Sequence, residues 1–470
     1  MKFGTDGVRG VAHEELTTEF AARLARAASR VLGSDDVMAS DGEPGDRPRT
    51  VVIGGDTRES TPAFDEALTA GFLAEGVDVI RLGVVPTPLV AFEAQHTGAM
   101  GAVVSASHNP WQDNGIKLFA PGGTKLTDEV EARIEAALAV LDVDSATAGS
   151  PLDESGTADR SSEHSDVDSS ATVVDVDGGS GYASHVLRLL EGRDLAGLRV
   201  VVDTANGAAC TVAPAILAAT AAEVIVVADE PDGRNINDAC GATHPEFVAS
   251  KVLEHRADVG IALDGDADRL IAVDHLGNVV DGDHIIAICA VDMRDRGLLA
   301  NDTVVVTVMT NLGFKLAMVE AGIEVVTTGV GDRYVLEALA AGGHSLGGEQ
   351  SGHVIFSDHA TTGDGLLTAL ALLDIVKRSG RTLADIATDS MTSLPQVLVN
   401  VRVGDRVPDV AERLSAEVAE AEAGLGDTGR VLLRASGTEP LIRVMVEAAT
   451  AEQAQATADR LAAVARTRFG

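Results

Sequence analysis

Gly101-Ala102-Val103-Val104-Ser105-Ala106-Ser107-His108-Asn109-Pro110 changes character halfway along. Its first four residues are a continuous apolar run, the pattern of a short buried strand. The rest is polar, and Asn109-Pro110 forces a turn. A hydroxyl at a strand end with a histidine beside it is well placed for chemistry, although a plain polar turn uses the same residues. Working outward, Thr50-Val51-Val52-Ile53 reads as a strand. It leads through Gly54-Gly55-Asp56-Thr57-Arg58-Glu59-Ser60 to a helix near Pro62. Val77 to Leu82 is a strand and Pro86-Thr87-Pro88 opens a helix, so strand and helix alternate up to Ser107, which predicts a largely parallel βαβ sheet. Beyond Pro110, Asp113-Asn114-Gly115 turns back into Ile116-Lys117-Leu118-Phe119, a strand bringing Lys117 near the serine. A helix from Asp128 to about Leu141 closes a first domain, 1–141. Its opening, Phe3-Gly4-Thr5-Asp6-Gly7-Val8-Arg9-Gly10, is a glycine-rich loop that could approach an anion closely.

From 142 to 181 Asp, Ser, Thr, Gly and Glu dominate, which predicts a flexible acidic linker. Gly33 to Arg49 is a similar polar stretch, expected as an exposed loop. A second domain, 182–281, has strands at Leu198–Asp203, Val224–Ala228 and Val259–Leu263. A hairpin follows, turning at Leu276-Gly277-Asn278. In a third domain, 282–390, the alternation resumes. The last segment, 391–470, has strands at Gln396–Val403, Val431–Arg434 and Leu441–Ala448, a helix from Pro408 to about Ala423, and Thr450 as N-cap of a closing helix. The expected fold class is α/β in four domains: three similar α/β domains with mixed, largely parallel sheets, and a smaller α+β C-terminal domain.

A chain of 470 residues exceeds one core, and a prior of about 100–200 residues per domain agrees with four. Seventy-two acidic residues oppose 36 basic ones, for a formal charge of −36. That excess, with few lysines, suggests a cytosol rich in salt, where repulsion is screened; an ordinary acidic enzyme is the alternative. Nucleic acid is excluded as a partner, because phosphate-backbone binding needs basic patches. Cys210, Cys240 and Cys289 lack metal spacing, which implies a reducing compartment and no zinc site. No apolar stretch qualifies as a signal region or membrane span, so the expected location is cytoplasmic.

Four further stretches carry chemistry. In Asp264-Gly265-Asp266-Ala267-Asp268-Arg269 the carboxylates alternate with small residues and can converge. Their mutual repulsion is relieved by a hard divalent cation such as Mg²⁺, which prefers oxygen ligands; a solvated acidic turn is the alternative. Gly347-Gly348-Glu349-Gln350-Ser351-Gly352-His353 offers Glu349 and Ser351 as partners for sugar hydroxyls, or is a hairpin turn. Upstream, Gly331-Asp332-Arg333-Tyr334 sets Arg333 at a loop-to-helix junction that suits an anionic substrate, or a surface ion pair. Arg434-Ala435-Ser436-Gly437-Thr438-Glu439-Pro440, with Arg443, has the hydroxyls, backbone N–H groups and guanidiniums of a phosphate nest, without the pattern of a nucleotide-binding P-loop.

These stretches, in this order, resemble the α-D-phosphohexomutase superfamily over the whole chain apart from 33–49 and 142–181. The resemblance implies four domains around a central cleft. It implies Ser107 as phosphoserine nucleophile and as a metal ligand beside Asp264, Asp266 and Asp268, with one Mg²⁺ per chain. Glu349 and Ser351 correspond to the sugar-binding pair. Arg434, Ser436, Gly437, Thr438 and Arg443 correspond to the substrate-phosphate site, while Arg9, His108, Lys117 and Arg269 fall among active-site groups. The implied reaction moves a phosphoryl group within a sugar monophosphate through a bound hexose bisphosphate, which also serves as activator, in a monomer or homodimer. Phe3–Gly10, Gly331–Val335, Glu349–Ser351 and Thr361–Leu367 are most similar to the phosphoglucosamine mutase branch, with phosphomannomutase/phosphoglucomutase activity as the alternative. A phosphoserine phosphohydrolase and a non-catalytic sugar-phosphate binder are the rivals from other classes.

Overall fold

Three sheets repeat one plan. The computed structural model describes residues 2–4, 6–33, 49–148, 171–436 and 440–470. In the first sheet Thr50–Gly55 lies between Asp78–Val84 and Met100–Val104, all parallel, and Asp113–Ala120 pairs antiparallel with Met100–Val104. The second sheet sets Arg199–Asp203 between Glu223–Val227 and Val259–Leu263, again parallel, with Leu270–Asp274 antiparallel beside the last. The third sets Thr303–Thr307 between Glu324–Thr328 and Leu346–Gly348, with Val354–Phe356 antiparallel. Counting strands within each plan, the order is second, first, third, fourth, and the fourth runs backward. Side-chain alternation explains why these strands read as apolar runs: helices cover both faces of such sheets. Met100–Val104, Val259–Leu263 and Thr303–Thr307 are buried at every position.

The first three domains share a core. One continuous cluster runs from Val52 and Val103 through Tyr182, Val202 and Ile261 to Val304 and Leu370. Helix Gly365–Ser379 is buried from Gly365 to Asp374, because it carries apolar residues around its whole circumference and touches both the second and third sheets. The fourth domain stands on its own core of Val401, Val431, Val444, Leu461 and neighbours. Its three strands run in the order Gln396–Arg402, Leu441–Glu447, Arg430–Ala435, all antiparallel, under helix Ala451–Phe469. Thr450 caps that helix, its hydroxyl accepting the N–H of Gln453 at 3.2 Å.

The linker expected over 142–181 is too long at both ends. Helix Asp128–Ala148 continues past Leu141, and Val173–Asp175 joins the first sheet parallel to Asp78–Val84. A bidentate pair fastens that strand, Arg81 to Asp175 at 2.9 and 3.1 Å. Two valines beside an aspartate are too short a run for composition to betray. Residues 149–170 of the expected linker, and 34–48 of the expected loop, lie outside the described residues.

Candidate active site

Ser107 sits on the connection between the third and fourth strands of the first sheet, fully buried and at φ 54°. A left-handed conformation costs an L-residue on the order of 1–2 kcal/mol, so something must impose it. Arg58 does. Its guanidinium, wholly buried, donates to the carbonyls of Ser107 (2.9 Å), Asn109 (2.9 Å), Pro110 (2.5 Å) and Asp113 (3.0 Å). Asp56 balances its charge at 2.8 Å and accepts the Ser105 hydroxyl at 2.6 Å. The Ser105 oxygen in turn accepts the N–H of Ser107 at 2.9 Å. From the second domain Asn237 adds a further donor to the Ser107 carbonyl at 3.0 Å. These bonds together hold the turn around Ser107 in place.

The equivalent connection of the second sheet carries the aspartates. Asp264, Asp266 and Asp268 are buried, and one ligand oxygen from each lies within 4.8 Å of the others. Gly265 lets the loop close on the serine: a Cβ there would stand 2.6 Å from the Ser107 carbonyl oxygen. The Ser107 hydroxyl donates to Asp264 Oδ2 at 2.5 Å. Thr87 donates to Asp266 Oδ2 at 2.6 Å, and Lys117 Nζ meets Asp266 and Asp268 at 2.8 and 2.9 Å. Asp266 Oδ1 and Asp268 Oδ1 remain buried without a hydrogen-bond partner. Burial, then the neighbouring Asp268 and Asp266, hold the Asp264 carboxyl well above its ordinary value. Asp268 goes the other way, to about 2: burial opposes ionisation, but Lys117, His353 and Arg269 outweigh it. Crowded carboxylates with orphaned inward oxygens fit a hard divalent cation.

A cleft of about 430 Å³ opens beside this pair of loops. Arg9, His108, Asp268, Arg269, Glu349 and His353 are among the residues lining it. Arg9 reaches it from the opening glycine-rich loop, held by Asp6 at 2.7 Å and the Ala106 carbonyl at 3.2 Å. The His108 ring lies 3.4 Å from the Ser107 hydroxyl. Burial, with Arg269 and Arg9 nearby, lowers the imidazole to about 4, so it is neutral at pH 7. Lys117 also meets Asp6 at 2.8 Å. Burial opposes its charge, yet Asp266, Asp268 and Asp6 hold it well above the ordinary lysine range. Glu349 occupies the third sheet's version of the same connection, its carboxylate accepting the N–H of Gly331 at 3.1 Å. Three topologically equivalent links thus supply the serine, the aspartates and the glutamate, at the carboxyl ends of parallel strands where open α/β sheets bind ligands.

In the fourth domain Arg434 and Arg443 are direct cross-strand partners, so their side chains share a face. Ser436, buried, follows at the strand end. Gly437 and Thr438 lie outside the described residues. Arg434 donates to the Met309 sulfur at 3.5 Å, and neither guanidinium lines the cleft.

Residues 1–142, 180–277, 281–394 and 398–464 match, in turn, the models of phosphoglucomutase/phosphomannomutase alpha/beta/alpha domains I, II and III and the C-terminal domain. The chain is 54% identical over 470 residues to phosphoglucosamine mutase of Frankia casuarinae, covering 99% of this chain and 98% of that one. Against phosphoglucosamine mutase of Thermobifida fusca the identity is 53% over 468 residues, with the same coverage. The chain belongs to the phosphoglucosamine mutase family. It is therefore an isomerase of the phosphohexomutase type. A phosphoglucomutase/phosphomannomutase family protein of Burkholderia thailandensis has the same fold, with a TM-score of 0.77 at 24% identity over 99% of this chain and 97% of that one. So does Aspergillus fumigatus N-acetylphosphoglucosamine mutase in complex with GlcNAc-6P and magnesium, at 0.66 and 20% over 100% and 96%.

Within this phosphoglucosamine mutase family member, Ser351 and Arg333 likewise do not line the cleft. Ser351 is exposed. The Arg333 guanidinium, expected at an anion, instead pairs with Asp128 and, at 2.5 Å, with Glu131, fastening the third domain to the first. Lys125 makes a second tie, to Asp6 at 2.6 Å and to Asp332. Asp56, Arg58, Asp6 and His353 stand inside the stretches quoted from the sequence but carry no local signal of their own, because each gains its part from a contact distant in sequence.

Proposed function

We propose that this isomerase interconverts glucosamine-6-phosphate and glucosamine-1-phosphate, with Ser107 as the phosphoryl carrier. The observation that carries the reading is the Ser107 hydroxyl, buried and 2.5 Å from a cation-ready aspartate cluster, at the edge of a cleft lined by Glu349 and Arg269. The identity of the curated relatives supports the amino sugar. Phospho-Ser107 gives its phosphoryl group to the free hydroxyl of the bound monophosphate: the bond from phosphorus to Oγ breaks as one to the sugar oxygen forms. The bisphosphate turns within the cleft, and its other phosphate returns to Ser107, so no water is consumed. Asp264, Asp266 and Asp268, with the Ser107 oxygen, would hold Mg²⁺, which when bound supplies charge stabilisation to the transferring group.

The chain's own groups do the rest. Lys117, locked as an ammonium, neutralises the carboxylates around the serine. His108, neutral, takes the hydroxyl proton; a loose transition state asks little basicity of it. Glu349 and Ser351 orient the sugar, while Arg434, Ser436, Gly437, Thr438 and Arg443 grip the phosphate that is not being transferred, the fourth domain closing to exclude water. A hexose bisphosphate primes Ser107. The acidic surface suits a salt-rich cytoplasm, with the chain acting as a monomer or homodimer. Among the described residues no helix is long and apolar enough to cross a membrane.

Turnover of glucosamine-6-phosphate, mannose-1-phosphate and glucose-1-phosphate, measured side by side, tests the reading. The amino sugar should be fastest. Faster turnover of either neutral hexose overturns it in favour of phosphomannomutase/phosphoglucomutase activity.

A further inference from the structure

The fourth domain's sheet has two unlike faces. Val431, Leu433, Ile442, Val444 and Val446 point into its core. On the opposite face Arg430 pairs in register with Glu447, Leu432 with Met445, and Arg434 with Arg443. One face of two strands therefore carries the Arg430–Glu447 ion pair, its carboxylate fully buried, at one end and the two guanidiniums proposed to hold phosphate at the other. The ion pair is joined to the third domain. Arg430 meets Glu447 at 3.0 and 2.9 Å, and donates to the carbonyls of Val308 at 3.0 Å and Thr310 at 2.9 Å. Glu447, fully buried, accepts the N–H of Leu312 at 3.0 Å. Asn311 from the same loop holds the linking segment, exchanging bonds with Leu394 at 3.0 and 2.9 Å.

We propose that Arg430 and Glu447 are positioning residues: they form the pivot on loop Val308–Leu312 that fixes where Arg434 and Arg443 meet the substrate's phosphate. Charge-assisted, bidentate bonds of this kind fix direction as well as distance. Strands are stiff, so a displacement at residue 430 is delivered to residue 434, on the same face of one strand. A misplacement of about 1 Å can cost on the order of a hundredfold in rate. Neither residue lines the cleft. The inference rests on the reading that Arg434 holds substrate phosphate, and the experiment separates the two.

Kinetics of the full-length chain with glucosamine-6-phosphate are measured for Arg430→Lys, Glu447→Gln, Arg434→Ala and the double variants with Arg434→Ala. Lysine keeps the charge and loses the fork. Arg430→Lys should lower kcat/KM about tenfold or more, chiefly through KM, and the double variant should lose clearly less than the sum of the two single losses, because a residue acting through another is non-additive with it and only Arg443 is left to be misplaced. Additive losses mean a purely structural role and overturn the proposal, as does unchanged kcat/KM in Arg430→Lys. If Arg434→Ala leaves KM unchanged, the phosphate-site reading itself fails. Should Arg430→Lys not fold, Glu447→Gln, which keeps shape and an acceptor for Leu312, decides by the same comparison.

Discussion

Ser107 and Arg58 make a single device out of two residues that differ in how they show in the sequence. The serine is legible because it stands at a strand end in a polar turn. The arginine is not, because the four carbonyl oxygens it serves, across Ser107 to Asp113, come to it only when the chain folds. Replacing Arg58 by lysine keeps one charge near Asp56 but cannot serve four acceptors. Turnover should fall at least tenfold, and because a buried pair is disturbed stability should fall by about 3 kcal/mol; kinetics and chemical denaturation of the variant check both. The φ of 54° at Ser107 gives a second test. Ser107→Ala and Ser107→Gly should both abolish turnover, but the glycine variant should be the more stable by about 1 kcal/mol, since only it relieves the left-handed backbone. Equal unfolding free energies would mean that no strain is held there. Arg333 teaches the converse. A cation after Gly-Asp at a helix start suggests an anion, and it has two, but they are Asp128 and Glu131 of the first domain.

At the scale of elements, periodicity made most strands legible, because a strand buried on both faces is an unbroken apolar run. What it could not reveal is that the serine, aspartate and glutamate loops occupy the same link in three sheets, since no sequence repeat accompanies the shared topology. Removing divalent cations with a chelator should stop turnover and adding Mg²⁺ should restore it. Asp264→Asn should not respond to added metal, as assayed by turnover and by metal titration. Helix Gly282–Asp295 offers a pH test away from the cleft. Asp283, in its first turn, is fully buried and accepts the N–H of Asn311 at 2.8 Å, with its other oxygen unpartnered. Asp281, His284 and Lys315 are the titratable neighbours. Burial is the main cause raising its carboxyl to about 7 from 3.8. The folded state then keeps a proton that the unfolded state has lost, so this residue's stability contribution is complete below about pH 4 and declines as pH rises toward 7. Asp283→Asn lacks that slope. Its stability relative to the parent chain should improve from pH 4.5 to 8 by roughly 3 kcal/mol; a pH-independent difference, read from denaturation midpoints, contradicts the assignment.

Over the whole molecule, 72 acidic residues against 36 basic ones leave a charge of −36 that ion pairs such as Arg234–Glu59, exposed on both sides, do little to offset. Raising salt shortens the screening length from about 10 Å at 0.1 M to about 3 Å at 1 M. The unfolding midpoint should therefore climb with KCl over that range. A steady fall would remove the support for a salt-adapted protein. The four-domain division was legible from composition and element order, whereas the sharing of one core by the first three domains was not, because shared burial leaves no mark on a linear pattern. A chain that copies one sheet plan inherits one address for chemistry with each copy. Duplicates of an ancestral module could then divide the labour, one taking the nucleophile, one the cation and one the sugar, without any of them having to invent a new place to put it.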